Sequence, residues 1–406
     1  MEYITIQRRH SVFKKLQSIL YLSITAFAIV FMTSCKSAVE PLEPPITVIP
    51  ETLTPQTPEP QPEPEPSQEE VPPIITERPN IDGLMQSYLT GEWKDAEVVK
   101  RRSMAVMMPN DSKSLPQNGI SNASIIYEAP VEGRGTRLMA FYEDYDDLEM
   151  IGPIRSARDY YVYEAMAYDA IFCHWGMAVP YVKDIINSDR IDNISAATED
   201  IEKSAWEALK RLDQSEKPGI ASVYRCYLLI DGYEEAVNRL KYETEYRDTF
   251  EQAFTFAADD MPALYPEAED ATLIYPSGST GNRSGYGSHH PYFEYDGEKG
   301  VYKRYQFGEP QIDGLNSEQL TVSNIIFKIC YGEVRDAKDY LAFGVHGEGD
   351  AYVFTAGKVI PATWQRESDA AANLFFDEDG NEIVFNQGKT WICNIWLEYS
   401  EFMEWE

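Results

Sequence analysis

The chain has 406 residues, with 35 Lys and Arg against 67 Asp and Glu, a formal charge of −32. Acid in such excess argues against nucleic acid as a partner and against a polybasic membrane surface, since both need clustered Lys and Arg. An apolar fraction of 43% and an aromatic fraction of 13% exclude global disorder.

In chain order, the first segment is basic at Arg8, Arg9, Lys14 and Lys15, then apolar from Ile19 to Met32. The apolar run is short for a membrane span of about 20 residues and fits the core of a signal peptide over residues 1–34. It ends in Met32-Thr33-Ser34-Cys35, which is similar to a lipobox with Met32 in place of the usual Leu. Cys35 is therefore the expected lipidation site, anchoring the chain to the outer face of the cell membrane. Residues 35–80 alternate Pro and Glu, as in Pro62-Glu63-Pro64-Glu65-Pro66. Such a stretch cannot bury apolar area and predicts an extended, disordered tether. Cys173, Cys226, Cys330 and Cys393 sit in apolar settings without CxxC spacing, so they predict buried thiols rather than zinc ligands or bridges.

From residue 81 the pattern is that of a packed protein. Met104–Met108, Ala123–Glu128, Thr136–Tyr142 and Ala170–His174 predict strands. Ser156–Asp169, Val179–Asn187, Glu199–Leu212 and Asp231–Leu240 predict helices, with Ser156 and Asp159 as a capping pair and Asp231 as a cap. Beyond residue 260 short β-like runs alternate with turn signals such as Asp296-Gly297, Asp313-Gly314, Ala356-Gly357 and Asp379-Gly380. The expected architecture is a mixed α/β N-terminal domain over 81–260, followed by a mostly antiparallel β C-terminal domain over 261–400.

Collinear blocks carry a family resemblance. They include Ile125-Ile-Tyr-Glu128, Val131-Glu-Gly133 with Thr136-Arg137, and Ile151-Gly-Pro-Ile-Arg-Ser-Ala-Arg-Asp-Tyr160. Tyr168 to Gly176, Gly300 to Tyr305, Gly308 to Asp313 and Gly388-Lys-Thr-Trp391 follow in order. Over about residues 84–397 the chain resembles the YerB-like lipoproteins. The resemblance implies a two-part domain of unknown function on anchored lipoproteins of Gram-positive bacteria, and implies no activity. Lys217-Pro218-Gly219-Ile220 and Pro310-Gln311 stand where many members of that family carry histidines.

Three chemistries compete. Arg155 and Arg158 flank the predicted start of the Ser156 helix, where free N–H groups and the helix dipole favour anions, and Arg137 can join them from a strand. With His174 at a strand end they form the candidate ligand site; the alternative is an ion-paired structural network. Glu128 and Glu132, with Asp159 and His174, are the candidates for carboxylate catalysis in an envelope hydrolase or transferase. Cys173 and His174 should face opposite sides of a regular strand, which argues against a nucleophile pair. Gly278 to His290 reads as a flexible loop, His289-His290 as a weak metal hint, and Asp377–Gly380 as a hairpin turn rather than a calcium loop. Tyr161 and Tyr168, seven apart, predict core contacts. No cofactor or metal motif is present, and the sequence favours a non-catalytic binding or scaffold protein whose partner is an envelope glycan, an anionic ligand or another protein.

Overall fold

The runs that are apolar without alternation are those that become strands covered on both faces. The computed structural model describes residues 82–195, 202–259, 261–280 and 286–406, so the signal segment, Cys35 and the Pro/Glu tether lie outside the described residues. Its main sheet has eleven strands: β1 (Met104–Pro109), β2 (Ile125–Pro130), β3 (Thr136–Tyr142), β4 (Ile171–Cys173), β5 (Asn193–Ile194), β6 (Glu269–Asp270), β7 (Asn324–Cys330), β8 (Gly347–Thr355), β9 (Lys358–Arg366), β10 (Leu374–Phe376) and β11 (Thr390–Trp396). Their order is β6-β9-β8-β7-β11-β2-β3-β1-β4-β5, with β10 on β9. The sheet therefore passes through both halves of the sequence. β11 is its seam, parallel to β7 on one side and to β2 on the other.

Every residue of β1, β2, β3 and β7 is buried. One face packs on helices α1 (Asp159–Ala167) and α2 (Val179–Ile186) through Phe141, Tyr161, Tyr168 and Phe172. The other packs on helix α3 (Ile230–Leu240), on a three-stranded sheet of Met150–Ile151, Leu209–Arg211 and Cys226–Leu229, and on a second sheet built from Leu273–Tyr275, Tyr292–Asp296 and Val301–Gln306. The result is a mixed α/β N-terminal part followed by a mostly antiparallel β part, as expected. β1 to β4 lie within two residues of their predicted bounds.

Four local expectations are corrected. The helix predicted from Ser156 begins at Asp159, and Arg158, not Ser156, occupies the cap position without a side-chain cap bond. Ser156 instead donates its hydroxyl to the Trp175 carbonyl at 3.1 Å, which keeps the preceding turn extended. Within the described part of Glu199–Leu212 there is a single 3-10 turn, Trp206–Ala208, and then the strand Leu209–Arg211, because pairing with Cys226–Leu228 wins over local helical periodicity. The third helix starts one residue earlier than Asp231, after Leu229. Asp313 is more than a turn residue: wholly buried, it accepts from the Gly119 and Ser121 amides at 3.0 and 2.7 Å and ties the second half to the first.

The four described cysteines are free and buried, and burial pushes the Cys173 and Cys393 thiols upward. A thiol reagent should therefore leave all four unmodified in the native chain and label them within the time of unfolding in denaturant. Fast labelling of any of the four without denaturant would contradict this packing.

Candidate functional site

The predicted arginines do come together. Arg137 stands near the start of β3, paired across the sheet with Ala129 of β2 and Pro109 of β1. The segment Pro153–Arg158 runs over the C-terminal ends of β1 and β4: Arg155 donates its amide to Met107, and its carbonyl accepts from Trp175 at 3.1 Å. A site at the carboxyl ends of parallel strands is where open α/β sheets hold ligands.

The three guanidiniums are unequally satisfied. Arg158 makes a bidentate pair with Glu132 at 2.7 and 2.6 Å and donates to the Ala157 carbonyl. Arg137, only 8% exposed, donates Nη1 to the Ser156 carbonyl. Arg155 lies 5.5 Å over the Tyr224 ring, and its Nε is buried without a hydrogen bond. Burial, then the charges of Arg158 and Arg155, push Arg137 down to about 9, which still leaves it charged at neutral pH. Glu132 is the carboxylate paired within this cluster, and Asp111 accepts from the hydroxyl of Tyr224, the ring beneath Arg155.

The other candidates go elsewhere. Glu128 and Glu132 do not pair with each other. Glu128 is wholly buried on the opposite side of the sheet from α1, where Oε1 accepts from Asn110, Thr136 and His289 at 3.1, 2.7 and 2.8 Å. Its Oε2 accepts from Arg304 and the Trp391 indole at 2.8 and 3.0 Å. Burial alone would raise this carboxyl; Arg304 and the His289 and Thr136 bonds outweigh it and hold it at about 2. Being ionised, Glu128 can only accept, so His289 carries its proton on Nε2. Arg304 is in turn flanked by Phe293 and Trp391 at 4.6 and 4.4 Å.

Asp159 pairs with Arg335 at 2.6 Å, and burial raises its carboxyl. His174 is fully buried, stacked on Phe172, with Nδ1 donating to the Gly176 carbonyl at 2.8 Å; burial pushes it down to about 4, so it is neutral. Cys173 points into the other core, as the strand period requires. His290 is exposed while His289 is committed to Glu128, and no described cluster of His, Cys, Asp or Glu is arranged to hold a metal ion.

The sequence reading missed the partners of these groups, Arg304 and His289 on Glu128 and Arg335 on Asp159, and with them a separate buried cluster of Glu164, Lys328 and Arg366. Lys328 is buried in β7 and pairs with Glu164 at 2.7 Å, with Arg366 at 3.6 Å from the same carboxylate. Two signals were available. Arg304 occupies an inward position of the alternating strand Val301–Gln306, and Lys328 interrupts the apolar run Ile325–Cys330. A charge on an inward period requires a buried partner.

This fold and this pair of halves define a family. Two family models match, "Protein of unknown function (DUF3048) N-terminal domain" over residues 89–243 and the corresponding "C-terminal domain" over residues 283–392. The chain belongs to the family that these paired domains define. Among its relatives is the Bacillus subtilis (strain 168) protein named "Putative lipoprotein YerB", 27% identical over 309 residues, covering 76% of this chain and 85% of that protein. The crystal structure of YerB from Bacillus subtilis superposes with a TM-score of 0.62 at 25% identity, covering 79% of this chain and 98% of that one.

Proposed function

We propose that this chain is a lipid-anchored, extracytoplasmic binding protein of the cell envelope, held through Cys35, whose turn of Arg137, Arg155 and Arg158 takes an anionic group. The name of the YerB relative and the Met32–Cys35 segment support the anchor. No helix among the described residues is long and apolar enough to cross a membrane. The observation that carries the binding role is Arg155, whose guanidinium has an aromatic ring beneath it and a buried Nε without a partner, beside an Arg137 already burdened by like charge. An incoming phosphate or carboxylate would supply the acceptors that the turn lacks.

A carboxylate hydrolase is the weaker reading. General acid catalysis needs a carboxyl with a raised pKa beside a second carboxylate. Glu128 is depressed and enclosed by donors, whereas Glu132 and Asp159 are each ion-paired to a different arginine.

Ligand binding raises stability by mass action, about 2.7 kcal/mol at a hundredfold excess over Kd. Inorganic phosphate should therefore raise the Tm of the full chain by several degrees, and Arg155→Gln should abolish the rise while leaving the unliganded Tm nearly unchanged. Flat titrations with phosphate, sulfate and carboxylates would refute the anion site.

A further inference from the structure

The arginine turn has an aromatic flank that anion binding alone does not use. Trp206 is 58% exposed on its 3-10 turn, and its indole meets Trp175 edge-on at 5.8 Å and 83°. Trp175 is fastened to the arginine turn at both ends of its peptide unit: its amide donates to Arg155, and its carbonyl accepts from Ser156. Arg211 covers the Trp175 ring at 4.9 Å. Beside Tyr224, whose ring carries Arg155, Val223 is 46% exposed.

The mount of Trp206 is rigid. Helix α3 approaches the turn so closely that a Cβ at Gly232 would lie 2.1 Å from the Glu207 carbonyl. An indole left in water, joined through Trp175 to the segment that carries Arg155 and its unpartnered Nε, is an arrangement suited to a flat apolar face joined to an anion. Trp206, with the partly buried Trp175 against its edge, offers a stacking face for one ring.

We propose that the ligand of the arginine turn is a phosphorylated saccharide, its phosphate on Arg155 and Arg137 and a pyranose ring on the Trp206 indole. This rests on the anion reading above and adds the sugar to it. Neutral saccharides would lack the charge term, and inorganic phosphate would lack the ring contact.

Calorimetric titration of the full chain with inorganic phosphate, a hexose 1-phosphate, a neutral hexose oligomer and phosphatidic acid vesicles tests it, together with Trp206→Ala and Arg155→Gln. The hexose phosphate should bind about tenfold tighter than phosphate, equivalent to about 1.4 kcal/mol. Trp206→Ala should remove that increment and leave phosphate binding intact, and Arg155→Gln should remove both. Equal affinity for phosphate and hexose phosphate, or an indifferent Trp206→Ala, overturns the saccharide while the anion site stands. Binding of vesicles alone overturns it in favour of a lipid phosphate, and no binding by any probe overturns both readings.

Discussion

Replacing Glu128 by Ala is expected to lower the unfolding free energy by about 3–5 kcal/mol, the cost of removing one member of a buried ion pair. The loss is large because the carboxylate is the common acceptor for five donors, and it leaves the Arg304 guanidinium buried between Phe293 and Trp391 without a counter-charge. Glu128→Gln keeps the volume but forfeits one acceptor oxygen and the charge, so it should fall between Ala and the parent. The double change Glu128→Met with Arg304→Met should recover much of the loss, since an apolar pair needs no compensation. Urea unfolding with a common m-value checks the series. A Glu128→Ala chain within about 0.5 kcal/mol of the parent, the range of ordinary surface substitutions, would mean that the hub contributes little.

Acidification should destabilise the chain in two stages. His174 is depressed to about 4 in the native chain, and burial also depresses His289. An unfolded histidine protonates near 6.5, so below that pH the unfolded state binds the extra proton and stability falls until the native pKa is reached. The stability associated with His174 is present above pH 6.5 and lost toward pH 4, which amounts to about 2 kcal/mol between pH 7 and pH 5. Glu128 takes over at lower pH: its contribution is present above 4.5 and disappears as the pH falls toward 2. Unfolding free energies at pH 7, 6 and 5 for the parent and for His174→Gln should show a shallower slope in the variant. Identical slopes would mean that His174 is not buried neutral.

How much of this was legible in the sequence depends on the range of the cause. β3 was readable to the residue because its run is fully buried and needs no partner to be recognised. The arginine turn was readable because Arg155 and Arg158 are neighbours and Arg137 lies on the next strand. Trp206–Arg211 was misread as helix because its strand character comes from pairing with Cys226–Leu228, a contact that local periodicity does not encode. The hub at Glu128 was half legible. Its carboxylate was singled out, yet its partners His289, Arg304 and Trp391 lie 161, 176 and 263 residues further on. No local pattern spans such distances, and only the inward charges at Arg304 and Lys328 announced that something buried must answer them.

The seam strand also sets the order in which the molecule can be finished. β2 and β3 lie far ahead in the chain of the partner that closes the outer side of β2. Until that partner is in place β2 presents an unpaired edge of amides and carbonyls, the kind of surface on which chains stick to one another. β7, formed later, waits with its own open edge until Thr390–Trp396 arrives and joins the two. A chain truncated before this strand would hold two half-sheets without the Trp391 donor that helps fix Glu128. The design therefore acts as a completeness test: nearly the whole chain must be present before the interior can shut, and a chain truncated before β11 keeps adhesive edges.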